Sequence, residues 1–187
     1  TARKNISGNT SLSTELVAGN AYKVIEVKAP DGYTMLEDAF EFTVDANGSA
    51  TVATEADGYT LSSEGGVITV KATDAQTELD IAKVSTEGAS LGGATFEVAG
   101  TFADGAESPI VLTTGADGKV DASQLRGKLI VGKEYTITET KAPAGYELIA
   151  DALTVMVNAD GTLEVVGESP DAYSIGDGTV TVTVTDT

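Results

Sequence analysis

The chain has 187 residues and a formal net charge of −18, with 41% hydrophobic residues, no cysteine, no histidine and no tryptophan. That charge excludes a nucleic-acid backbone as partner and disfavours an anionic membrane surface, while the apolar content separates it from disordered acidic tails. Without Cys or His there is no disulfide, thiol nucleophile, imidazole base or ordinary zinc or iron site, so no metal or other cofactor is expected.

Val, Ile and Thr alternate in short runs, and 21 glycines, several of them in Asn-Gly or Asp-Gly pairs, punctuate them. This pattern predicts short strands joined by tight turns, hence an all-β chain. In chain order, "AYKVIEV" (21–27) reads as a strand with Tyr22, Val24 and Glu26 in one phase, followed by "KAPDGY" (28–33). An alternating apolar run then leads into the turn "DANG" (45–48), and "VITVKATD" (67–74) ends a first module. A second set opens with strands near 79–84 and 94–99 and the start of a third, and continues through "YTITETKAPAGY" (135–146) and the turn "NADG" (158–161) to "TVTVTDT" (181–187). The two turns lack the regular oxygen spacing and late glutamate of a calcium loop and read as hairpin turns.

A shift of 113 places residues 15–48 on residues 128–161 without a gap, with 14 identities in 34 positions. Tyr22 falls on Tyr135, Glu26 on Glu139 and, after a short gap, Asp74 on Asp186. Two copies of one module are therefore expected, at 1–75 and 76–187, strung end to end. The second copy has about 34 opening residues (78–111) with no counterpart in the first, so the first lacks its N-terminal strands.

Strand phase places three ionisable residues on the core side of the second module. Leu79 and Ile81 carry Lys83 with them; Tyr135 and Ile137 carry Glu139; Val180, Val182 and Val184 carry Asp186. Burial favours the neutral form of each group, making the lysine a nucleophile and the carboxyl groups proton donors. Held in contact, the three can condense into a Lys83–Asp186 amide with Glu139 moving the protons, or remain a buried ion cluster that never reacts. In the first module Glu26 and Asp74 repeat the two acids. Lys4 stands only 22 residues before Glu26, against 56 between Lys83 and Glu139, and cannot occupy the same strand.

"LDIAKVSTEGASLGGATFEV" (79–98), "YTITETKAPAGYEL" (135–148) and the terminal "TVTVTDT" resemble the B-type repeat of the collagen adhesin Cna, also called the SpaA-like or prealbumin-like pilin domain. The resemblance covers 78–187, and residues 1–75 less completely. It implies tandem prealbumin-like, immunoglobulin-like β-sandwiches on the surface of a Gram-positive cell, in a pilin or wall adhesin. It further implies an isopeptide bond from Lys83 to Asp186 promoted by Glu139, with Glu26 as the equivalent acid and Asp74 as the acceptor in the first module. The usual acceptor is Asn, so Asp186 departs from the commoner pattern. The implied partners are neighbouring domains or subunits, with a strand or lysine supplied to the first module from upstream or from another chain.

A stalk or pilin module is the leading reading. An adhesin module contacting host matrix protein or glycan is the alternative. It has thin support in ten aromatics, with Tyr59 and Tyr173 as its candidates for exposed rings, although core or edge packing is the favoured reading of both. An enzyme acting on external substrates finds no pocket insertion or metal-ligand cluster. No LPxTG-type sorting signal lies in the sequence, so wall anchoring follows from the resemblance alone.

Overall fold

The computed structural model describes residues 8, 16–176 and 179–184, the last six as backbone. The chain is all-β, with thirteen strands among these residues and one short 3-10 turn at Ala122–Gln124. Among the described residues no helix is long and apolar enough to cross a membrane. It divides into two compact units, one of residues 1–26 and 38–73, the other of residues 27–37 and 74–187.

In the first unit, β1 (Ala21–Val24), β2 (Phe40–Val44) and β3 (Ala50–Thr54) form an antiparallel sheet in that order. A separate hairpin joins β4 (Tyr59–Glu64) to β5 (Val67–Ala72). Alternation along β2 buries Phe40, Phe42 and Val44. Phe40 stacks on Tyr59 at 5.5 Å between centroids and Phe42 on Tyr22 at 5.4 Å, so four rings make the small core.

The second unit is a sandwich of two sheets. The larger has the order β11 (Leu163–Val165), β10 (Leu153–Val157), β9 (Glu134–Lys141), β7 (Thr95–Ala99) and β8 (Ile110–Thr113), antiparallel throughout. The smaller has β12 (Tyr173–Gly176), β13 (Thr179–Val184) and β6 (Asp80–Ser85), with β13 and β6 parallel. Leu79 and Ile81 lie against Phe96, Val98, Leu112, Tyr135, Ile137, Leu153, Val155 and Val157 in one closed apolar core.

The repeat seen in the sequence reappears strand by strand. β1 and β2 fall on the first half of β9 and on β10, and both turns carry a glycine at positive φ, Gly48 and Gly161. In these turns Asp45 Oδ1 accepts from the Asn47 and Ser49 N–H groups, and Asp160 Oδ1 from Thr162 N–H. Hydrogen bonds from Thr162, side chain and backbone, hold the Asp160 carboxyl below the usual carboxylate range.

The pairing partners differ. In the second unit β9 has β10 on one side and β7 on the other, and β13 has β12 and β6. In the first unit, among the described residues, no strand lies beyond β1 or beyond β5. The positions beside β1 and β5 at which no strand is described are those that β7 and β6 fill in the second unit.

Tyr135 ties the second unit together: its hydroxyl donates to Thr101 O at 2.7 Å and accepts from Ile130 N–H at 2.8 Å, with the ring fully buried. Tyr22 accepts from Val17 N–H in the same way, but on a half-buried ring. Tyr135→Phe removes two part-buried hydrogen bonds from a fully buried ring and is expected to lower the unfolding free energy by roughly 1–3 kcal/mol. Tyr22→Phe is expected to lower it by less than about 1 kcal/mol. Urea unfolding of the two variants checks the difference.

Candidate functional site

Lys83 and Glu139 meet inside the sandwich. Alternation along β6 buries Ile81, Lys83 and Ser85, and alternation along β9 buries Tyr135, Ile137 and Glu139. The two strands lie in opposite sheets, so their inward faces confront each other. Lys83 Nζ is 2.9 Å from Glu139 Oε1, and both side chains are fully shielded from solvent. The contact runs off the ideal hydrogen-bonding direction, and among the described residues neither atom has a well-aligned partner. Glu139 Oε2 accepts from Ile149 N–H at 2.8 Å, which fixes the carboxylate.

An ion pair removed from water in this way is expensive, because desolvation of each charge offsets most of their attraction. Burial pushes the Lys83 amine below the 10.5 of an ordinary lysine, and the Glu139 carboxylate beside it opposes that shift. The effect extends to Tyr173 on β12. Burial, with smaller contributions from the carboxylates of Glu139 and Asp151, pushes its hydroxyl up to about 12. That hydroxyl donates to Asp151 O at 2.7 Å.

Strand partners explain how Glu139 comes to face inward. β10 pairs with β9 only over Glu134–Ile137; beyond that, β7 alone holds β9 in extended form, with Phe96 opposite Glu139. In the first unit β1 ends at Val24, at the position equivalent to Ile137, because no described strand takes the place of β7. Glu26 therefore lies outside any strand and is half-buried, and Asp74 is half-buried in the other unit. Sequence phase alone put Glu26 on a core face; in the structure it follows the end of β1 and is half-buried.

Asp186 lies outside the described residues. The β13 backbone is described, and its parallel register puts Val182 opposite Lys83. Tyr59 and Tyr173, the candidates for an exposed aromatic face, are buried at 8% and 5% exposure. Among the described residues no group of three or more acidic side chains is placed to hold a metal ion. The residue that phase reasoning missed is Ile149, whose main-chain N–H leaves no trace in side-chain pattern.

A two-sheet all-β sandwich of this kind is the architecture of a prealbumin-like fold. The chain belongs to the SpaA prealbumin-like fold domain family, whose sequence pattern matches residues 1–58 and 77–171. Among solved structures, a C-terminal fragment of the pilus adhesin SpaC from Lactobacillus rhamnosus GG is 22% identical, over 91% of this chain and 77% of that one, with a TM-score of 0.47. The pilus adhesin RrgA from Streptococcus pneumoniae is 28% identical over 54% of this chain and 11% of that one, TM-score 0.37. A group B streptococcus pilus 2b backbone protein is 16% identical over 86% and 52%, TM-score 0.42. No curated protein sequence matches the chain.

The lowered Lys83 pKa gives a signed pH dependence. Between its folded value and 10.5, the folded chain binds fewer protons at Lys83 than the unfolded chain does, so stability rises with pH across that interval and levels off above it. Glu139→Ala removes the neighbouring carboxylate and is expected to cost about 3–5 kcal/mol at neutral pH. The stability gap between Glu139→Ala and the double variant Lys83→Met/Glu139→Ala should narrow as pH rises toward 10.5. Urea titrations from neutral pH upward measure this gap, and a pH-independent gap would contradict a buried, titrating Lys83.

Proposed function

We propose that this chain is a load-bearing pair of modules, 1–75 and 76–187, from a pilin or wall-anchored adhesin on a Gram-positive cell surface. In this reading the second module closes itself with an amide. The Lys83 amine attacks the Asp186 side-chain carboxyl carbon, the C–N bond forms, and the hydroxyl leaves as water. Glu139, protonated, donates to the departing oxygen and takes back a proton from the amine. The observation that carries the reading is the shielded Lys83–Glu139 contact at 2.9 Å in a chain of this family. No external substrate or cofactor is needed for this single turnover.

The β13 register sets a condition on it. Val182 stands opposite Lys83 in the backbone register, four residues before Asp186, and the amide requires the Asp186 carboxyl to reach Lys83 Nζ. The same observation favours a second reading, in which Lys83 and Glu139 stay an unreacted ion pair.

The bond would close a loop of about 103 residues. By the chain-entropy argument used for disulfides it would stabilise the module by about 4–5 kcal/mol. For the first module, a strand or lysine from upstream or from another chain would pair with β1 and β5 on the edges where no strand is described. Neighbouring domains or subunits are thus the partners this reading calls for. The expected intact mass is one water below the sequence mass, with a Lys83–Asp186 crosslinked peptide on digestion. Lys83→Ala and Glu139→Ala should each show the full mass. Full mass in the unaltered chain selects the ion-pair reading.

A further inference from the structure

Two hydrogen bonds meet on the chain between β9 and β10. Glu139 Oε2 accepts from Ile149 N–H at 2.8 Å, and two residues further on Asp151 O accepts from the Tyr173 hydroxyl at 2.7 Å. Residues 149–152 lie outside any strand; Ile149 is half-buried against the core, while 150–152 are exposed. An exposed stretch outside a sheet holds its position through contacts of this kind.

Tyr173 is placed to be the anchor. Its ring is buried in the apolar core, and it opens β12 in register with Val182, which stands opposite Lys83. The three residues thus form one row across the smaller sheet, with Tyr173 two strand spacings, about 10 Å, from the lysine. Burial, pushing the Tyr173 hydroxyl up to about 12, keeps it protonated and donating at neutral pH.

The two oxygens of Glu139 have different neighbours. Ile149 N–H meets Oε2, whereas Lys83 Nζ is 2.9 Å from Oε1. In a protonated carboxyl group the carbonyl oxygen is the better acceptor, so the Ile149 contact makes Oε2 the carbonyl and Oε1 the oxygen that bears the proton. The last torsion of a glutamate is broad and two-fold, so without that contact either oxygen could turn toward the lysine.

We propose that Tyr173 is a positioning residue for Glu139: by holding Asp151 it keeps Ile149 N–H on Oε2 and Oε1 toward Lys83. The clamp stands whether or not the amide forms. Its chemical consequence rests on the Lys83–Asp186 reading, in which Oε1 protonates the hydroxyl leaving Asp186 as water and recovers a proton from the amine.

Hydrogen exchange on the full chain tests the clamp. Ile149 N–H should be protected in the unaltered chain, and Tyr173→Phe, which keeps the ring and removes the hydroxyl, should speed its exchange by about tenfold or more. Tyr135→Phe is the matched control, because that hydroxyl bonds Thr101 and Ile130 instead; exchange at Ile149 should stay within about threefold. The isotopically labelled Glu139 carboxyl resonance should likewise shift in Tyr173→Phe and not in Tyr135→Phe, whereas a general loosening of the core moves both. Protection at Ile81 and Val155 shows that each variant is folded. An unprotected Ile149 in the unaltered chain, no change in Tyr173→Phe, or an equal change in both variants overturns the proposal. Intact mass followed after synthesis reads the chemistry: Tyr173→Phe should lose water about tenfold more slowly than the unaltered chain. Equal rates, with exchange at Ile149 altered, overturn the role in amide formation. Full mass in the unaltered chain refutes the amide reading alone, and exchange at Ile149 then decides the clamp.

Discussion

The pairing of β7 with the far half of β9 is the contact on which the site depends. β10 releases β9 at Ile137, two residues before Glu139, and only the β7 ladder keeps the chain extended through that glutamate. An extended chain alternates its side chains, so Glu139 inherits the inward direction of Tyr135 and Ile137 and is driven against Lys83. The first unit supplies the comparison within the same molecule. β1 has β2 but no described counterpart of β7, and it ends before Glu26 is reached. One neighbouring strand separates a buried ion pair from a half-buried glutamate.

That dependence also orders the energetics. A lysine and a carboxylate without water are tolerated only where the surrounding packing leaves them no other arrangement. Here the surroundings are the apolar layer of Ile81, Phe96, Ile137 and Tyr173, together with one main-chain donor from Ile149. The core that holds the pair in place is the same core that makes its charge unfavourable, which is the condition that drives a lysine toward its neutral, nucleophilic form.

Much of this was legible in the residues. Phase alone placed Lys83 and Glu139 on facing interior surfaces, and the internal repeat gave the hairpin turns. Three features were not legible, each for a physical reason. The fate of Glu26 depends on a neighbour in space, which strand phase does not encode. The register of β13 is hidden because Val-Thr alternation in "TVTVTV" looks identical after any even slide. The membership of residues 27–37 in the second unit rests on backbone hydrogen bonds, which leave no side-chain pattern behind.

The parallel pairing of β6 with β13 has a mechanical meaning of its own. The first and last described strands of the second unit lie side by side and point the same way. A pull on the chain entering β6 and leaving β13 drags the two strands past each other along their length. Parallel ladders have evenly spaced bonds, so such a pull loads the whole row in shear at once, where a hairpin pulled at its open end would peel one bond at a time. Resistance to stretching is thus written into strand order, before any covalent link is considered.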